Sequence, residues 1–188
     1  MPLACVLDMD ETLGFFDKYH FHVRPHLSVL IHFLRFCKIR TYIWSLGKDE
    51  YVTRMINIYM PEMKDFAFKI FARKESDKAF RLYGWKKPSQ HIRDECDEDL
   101  ILIGIDDLIE ANMDDGYDLK LPVTPYNEVN THDISFLKIM DEIMVFLLRN
   151  DIKIDYYSNF KTAFKDEYED RENMDDCYEQ NNEKMIHD

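Results

Sequence analysis

Five apolar residues near the start of the chain, Leu3-Ala4-Cys5-Val6-Leu7, run straight into Asp8-Met9-Asp10, and this junction restricts the folds open to the sequence. A run that short, apolar at every position, offers no polar face to water. It therefore reads as a strand buried on both faces, the kind found inside a parallel sheet. The pattern returns at residues 41–44 (TYIW), at residues 100–105 (LILIGI), and more briefly at residues 119–123. Helical spacing separates the runs. It covers residues 25–36, with Pro25 suited to the first turn, residues 48–59, which Pro61 should end, and about 133–148. Buried strands alternating with helices predict an α/β fold with a central parallel sheet flanked by helices, and short extra elements between Phe66 and Trp85. In such sheets ligands bind beyond the carboxyl ends of the strands, which puts Asp8, Ser45 and Asp106 on one rim.

Composition supports one folded domain. The chain has 188 residues, of which 46% are apolar, enough for a proper core. Its formal charge of −13 would repel a phosphate backbone, so sequence-independent nucleic-acid binding is disfavoured. The longest apolar candidate for a membrane span, residues 134–148, is interrupted by Lys138, Asp141 and Glu142, which argues against a membrane protein. Cys5, Cys37, Cys96 and Cys177 lie far apart, without a C-x-x-C pair or an apolar leader. The expectation is a reducing intracellular compartment, cytoplasm or nucleus, rather than secretion. The character changes after residue 150: residues 151–188 carry twelve acidic and five basic residues, a net −7, which leaves −6 for residues 1–150. Tyr156, Tyr157, Phe160, Phe164 and Tyr168 in this tail have spacings near three and four, fitting an amphipathic helix that docks on the domain or on a protein partner. The expected organisation is a domain at 1–150 and an acidic tail at 151–188.

Asp8 and Asp10 follow the first strand at i and i+2, so an extended backbone points both to one side. Their repulsion makes ionising both costly unless a cation joins them or one stays protonated. Both outcomes serve chemistry: magnesium favours hard oxygen ligands, and a carboxyl group can shuttle a proton.

Asp8-Met9-Asp10-Glu11-Thr12 resembles the D-x-D-x-T signature of haloacid dehalogenase superfamily phosphotransferases, and its surroundings resemble the small C-terminal-domain phosphatases related to RNA polymerase II regulation. The likeness continues in order through Val23-Arg24-Pro25, then Ile43-Trp44-Ser45-Leu46-Gly47 with Tyr51, then Lys74-Glu75-Ser76 with Arg81 and Lys86. It closes with Ile103-Gly104-Ile105-Asp106-Asp107 and with Leu121-Pro122-Val123, Pro125-Tyr126 and Asp133.

The resemblance implies a Rossmann-like core without a large cap and a Mg2+-dependent protein serine/threonine phosphatase acting through an aspartyl-phosphate. Asp8 is then the nucleophile and Asp10 the acid and base. Ser45 binds a phosphoryl oxygen, and Thr12 and Arg81 join Ser45 around the substrate, Thr12 mainly by shaping the loop. The metal is held by Asp8, Asp10 through its main-chain carbonyl, Asp106 and Asp107. A lysine neutralises the phosphoryl group. Ungapped matching selects Lys86, the preferred reading, whereas the Lys-Pro pairing of the wider superfamily selects Lys87. The implied partner is a phosphoprotein. Two alternatives stay open: a nucleotide or polynucleotide 3'-phosphatase, for which Arg73, Lys74, Lys78, Arg81, Lys86 and Lys87 offer a local basic groove, and an interaction subunit of a larger assembly.

Other features read as structural. His20, His22, His26 and His32 span a loop and a helix and are expected to be ordinary surface or half-buried histidines rather than metal ligands. Asp114-Asp115-Gly116 is expected to be a turn, and Cys5 a core residue. The acidic stretch 93–99 is expected to be a surface loop. Phe66, Phe68, Phe71, Phe80, Tyr83 and Trp85 are expected to pack a small sheet beside the site or to line an apolar pocket; the family resemblance implies that sheet.

Overall fold

A computed structural model of the chain describes residues 1–96 and 99–154. The elements are β1 (Leu3–Leu7), β2 (Gly14–Phe16), β3 (Phe21–Val23), α1 (Leu27–Phe36), β4 (Arg40–Trp44), α2 (Asp49–Tyr59) and α3 (Pro61–Phe66). They continue with β5 (Lys69–Phe71), α4 (Arg73–Tyr83), α5 (Ser89–Arg93), β6 (Ile101–Asp106), α6 (Ile109–Asn112), β7 (Leu119–Pro122) and α7 (Ser135–Arg149). Residues Met1–Lys153 make one compact unit. The aromatic residues of the tail, Tyr156 to Tyr168, lie outside the described residues.

Five strands pair in parallel in the order β5-β4-β1-β6-β7. β1, buried at all five positions, takes the centre, where both of its edges and both of its faces are covered. The exposed positions sit at the margins instead: Lys69 and Ile70 are exposed on β5, and Pro122 ends β7, an edge where a missing N–H costs little. Alternation along β1 divides the core. Ala4 and Val6 join Tyr42, Trp44, Phe71, Leu102, Ala79 of α4, Ile92 of α5 and Ile109 of α6 on one face. On the other face α1 packs against α7. α7 buries Phe136, Ile139, Ile143 and Leu147, spaced by three and four along one stripe. Each such side chain contributes roughly 1.5–3 kcal/mol on burial, so four of them fix the helix on the domain.

The chain winds from β1 outward through β4 to β5, then crosses to β6 and outward to β7. The direction therefore reverses between β1 and β6, the place where open parallel sheets leave a crevice at their carboxyl ends. β2 and β3 form a separate antiparallel pair just after Asp10. Gly14 is required there, since a Cβ would lie 2.4 Å from the His22 carbonyl oxygen.

Two expectations need correction, and a third holds with an addition. α1 starts at Leu27, two residues after Pro25, because His26 takes a left-handed conformation (φ 65°) at its cap. Pro61 does end the preceding helix, and it also opens α3 as its first residue. The segment between Phe66 and Trp85 holds no small sheet. It supplies the parallel edge strand β5 and the helix α4, and the two-stranded pair lies at residues 14–23 instead. Its aromatics divide accordingly: Phe71 is fully buried in the main core, whereas Phe68, at 60% exposure, and Phe80, at 55%, remain on the surface.

Candidate active site

Parallel register decides which side chains meet at the rim. Leu7 pairs with Ile43 on one side and Ile105 on the other, so the residues just beyond come together: Asp8 from β1, Ser45 after β4, Asp106 at the end of β6. The ladder extends one bond further, from the Asp8 N–H to the Ile105 carbonyl (2.9 Å). Asp8, Asp106 and Asp107 each present a carboxylate oxygen within 4.8 Å of the others.

Lys87 enters this group from the segment ahead of α5. Its ammonium donates to Asp106 Oδ2 at 2.6 Å and to Asp8 Oδ1, with no surface exposed to water. The backbone around it is clamped: Lys87 N–H donates to the Asn112 carbonyl, and the Tyr117 hydroxyl donates to the Lys87 carbonyl, both at 2.9 Å. Asp106 is further held by the Asn112 amide at 2.9 and 3.2 Å and by the Leu108 N–H at 2.7 Å. Asn112 carries no sequence signal for this role; only the return of α6 onto β6 brings it there.

Three carboxylates face one ammonium. Burial pushes the Asp8 carboxyl above its usual range, Lys87 beside it pulls the other way, and Asp106 adds repulsion. Burial works against the charge on Lys87, but the two carboxylates outweigh it and hold the ammonium above its ordinary value. Asp107 is also raised, by burial and then by Asp106. The cluster is thus short of positive charge, and its donors are hard oxygens. Both properties fit a divalent cation such as magnesium.

Asp10 stands apart from the metal-type cluster. Its side chain turns to the other wall, where Ser45 Oγ donates to Oδ2 at 2.9 Å and Tyr51 Oη donates to Oδ1 at 2.5 Å. Ser45 in turn accepts the Gly47 N–H at 2.9 Å. The intervening loop is tightly built: Leu13 N–H returns to the Met9 carbonyl at 2.9 Å, and Glu11 adopts φ 60°. Buried Arg24 pins its far end by donating to the Thr12 and Thr124 carbonyls, with Asp133 at 3.6 Å.

The sequence-predicted residues thus fall into two groups. Asp8, Asp10, Ser45, Asp106 and Asp107 are gathered at the rim, together with Lys87. Lys86, preferred on sequence, has no bond to the carboxylates that Lys87 meets. It is exposed and lines a pocket with Leu46, Arg73 and Phe80. Thr12 is fully buried and accepts the Asp107 N–H at 3.2 Å, which gives it a loop-shaping place with no surface for a substrate. Arg81 does not join the cluster; it donates along its own helix to the Asp77 carbonyl at 3.1 Å.

The bland expectations also find their places. Among the described residues the possible metal group is made of aspartates, and His22 of β3 pairs with Asp17 in the turn before it at 2.7 Å. Asp114 closes a turn by accepting the Gly116 N–H at 3.1 Å. Cys5 is buried, which pushes its thiol up, and the described cysteines are free. In the acidic stretch, Arg93 ties back to the Leu100 and Gly116 carbonyls, and residues 97–98 lie outside the described residues.

The family model described as NLI interacting factor-like phosphatase matches residues 3–152, about four fifths of the chain. The chain belongs to this family. The match takes in every residue of the rim cluster, from Asp8 to Asp107. No curated protein matches the chain. Two solved structures similar to it are the fission yeast RNA polymerase II CTD phosphatase Fcp1 bound to beryllium fluoride and Fcp1 described as an essential RNA polymerase II CTD phosphatase. The first is 14% identical with a TM-score of 0.44, over 88% of this chain and 56% of that one. The second is 14% identical with a TM-score of 0.47, over 84% and 53%. The chain therefore spans little more than half the length of either. Among the described residues, no helix is long and apolar enough to cross a membrane.

Proposed function

We propose that this chain is a magnesium-dependent phosphomonoester hydrolase that acts on phosphoserine or phosphothreonine in a polypeptide. One observation carries the reading: a carboxylate bonded to a buried lysine stands at the switch point of the sheet, with a second carboxylate held beside it by hydroxyl donors. Asp8 attacks phosphorus; the bond between phosphorus and the seryl oxygen breaks, and Asp10 gives that oxygen its proton. Water then attacks the aspartyl-phosphate while Asp10 takes a proton back, and inorganic phosphate leaves. Splitting one displacement into two lowers each barrier, and a placed acid or base contributes about 10² to 10⁴ in rate. Lys87 offsets charge on the phosphoryl oxygens, and Ser45, already a donor at the rim, offers them its hydroxyl. Asp8, Asp106 and Asp107 would hold Mg2+, which when bound supplies positive charge where nucleophile and phosphate meet.

A polypeptide substrate is supported by the surface beside the rim. A pocket of about 310 Å³ is lined by Leu46, Arg73, Ser76, Asp77, Phe80 and Lys86. Leu46 directly follows Ser45, so the chain runs from the rim into the pocket wall, which suits residues flanking a phosphorylated one. Its mixed apolar and charged wall suits side chains better than a small metabolite, and the described residues include no large cap to enclose one. The test compares a phosphoserine peptide with a 3'-phosphorylated oligonucleotide, each with magnesium. The reading expects turnover of the peptide, little of the oligonucleotide, and loss of at least about 10³ in kcat for Asp8→Asn. Preference for the oligonucleotide would move the chain to polynucleotide chemistry, and turnover of neither would favour an interaction subunit.

A further inference from the structure

Both oxygens of Asp10 are occupied by side-chain donors, and only one of those donors has a place in the mechanism above. Ser45 serves the phosphoryl group as well; Tyr51 does not. Its hydroxyl donates to Asp10 Oδ1 at 2.5 Å from the first turn of α2. A phenol keeps its proton at neutral pH, so toward a carboxylate Tyr51 is the donor.

The approach of the ring is built into the backbone. A Cβ on Gly47 would lie 2.7 Å from Tyr51 Cδ1 and 3.0 Å from Ser45 Oγ, so the ring occupies space that only glycine leaves open. Gly47 is itself fixed, its N–H on Ser45 Oγ at 2.9 Å and its carbonyl accepting the Arg73 N–H at 2.8 Å. Glycine, ring and carboxylate therefore form one stack with little freedom. A carboxylate turns readily about its last bond, whereas a proton donor must lie within about 3.2 Å of the atom it serves.

We propose that Tyr51 is a positioning residue for Asp10: held against Gly47, it fixes the rotation of the Asp10 carboxylate so that the acid faces the departing oxygen. The assignment rests on the phosphatase reading and adds a requirement specific to the leaving group. A seryl oxygen departs as a poor leaving group and needs its proton, whereas p-nitrophenolate departs without one. Misplacing the acid therefore penalises the first ester and largely spares the second.

The experiment measures kcat/KM of wild type, Tyr51→Phe and Gly47→Ala on a phosphoserine peptide and on p-nitrophenyl phosphate, with magnesium. This parameter reports events only as far as the aspartyl-phosphate, so the later role of Asp10 as base does not enter. Tyr51→Phe is expected to lose about 30- to 100-fold on the peptide and less than about threefold on the aryl ester, the scale on which a misplaced catalytic group is felt. Gly47→Ala, which keeps the hydroxyl but displaces the ring, also crowds Ser45 Oγ, so it is expected to lose on both esters and more on the peptide. Thermal melts of both variants confirm that they are folded. Equal losses on the two esters, or no loss on the peptide, overturn the assignment while a wild type active on both leaves the phosphatase reading standing. A wild type that hydrolyses neither ester removes the phosphatase reading, and this assignment with it.

Discussion

Lys87 and Lys86 are neighbours in sequence with opposite surroundings, one sealed among carboxylates and one on the wall of an open pocket. Removing Lys87 leaves Asp8 and Asp106 buried without their cation, a loss that costs about 3–5 kcal/mol when no other cation is bound. Exposed charges such as Lys86 are worth about 0.2–1 kcal/mol, at most a factor of about five. We expect Lys87→Gln to lower kcat on an aryl phosphate by about 10² to 10³, and Lys86→Gln to lower it by less than about fivefold. Steady-state kinetics of the two variants check this, and a larger loss at Lys86 would reverse the assignment. Ungapped matching preferred Lys86 and the Lys-Pro pairing Lys87, because neither pattern carries the contacts that decide which of two adjacent lysines turns inward. The backbone clamp from Asn112 and Tyr117, which settles the direction of the side chain, comes from residues 25 and 30 positions downstream. The carboxylates were easier to read: each ends or follows an apolar strand, and parallel pairing puts such positions side by side.

At the scale of elements, α5 lays His91 against the aromatic face of the sheet. The ring lies 5.2 Å from Trp44 and 5.3 Å from Phe71, centroid to centroid, and 6.2 Å from Tyr83. Its Nε2 has no hydrogen-bond partner among the described residues. Burial accordingly lowers its pKa below the ordinary 6.5, the neutral ring being the form that packs. The unfolded chain binds this proton at a higher pH than the folded one, so the contribution of His91 to stability is complete above about pH 6.5 and is lost as pH falls through the lowered native value. Thermal melts from pH 7.5 to 5 should show a smaller acid-induced fall for His91→Phe than for wild type; an unchanged slope would contradict the packing account. The same region explains what remained illegible. Apolar runs disclosed the buried strands, but α4 buries small residues, Ser76 and Ala79, and exposes Phe80 and Leu82. The small sheet that the family resemblance implied there is absent, and the aromatics divide between core and surface instead.

For the whole molecule, the winding of the strands gives the site its position and the charge its meaning. Reversal between β1 and β6 opens the crevice, and the first acidic pair, the lysine and the second acidic pair reach it from segments about a hundred residues apart. The positions of four of the five parallel strands and the acidic rim were legible because both depend on short local patterns, whereas the edge strand β5 was not read. The role of Asn112 depends on a chain return that no local pattern encodes. Arg24 and Tyr51 stand in the matched motifs, but their partners, the Thr124 carbonyl and Asp10, come from other segments. The central claim is that Asp8 receives a phosphoryl group. Turnover of a phosphopeptide with magnesium, quenched in acid, reduced with borohydride and mapped by peptide mass spectrometry, tests it directly. The account predicts conversion of Asp8 to homoserine, absent from Asp8→Asn; conversion at Asp10 or Asp106 instead, or none during active turnover, would contradict it.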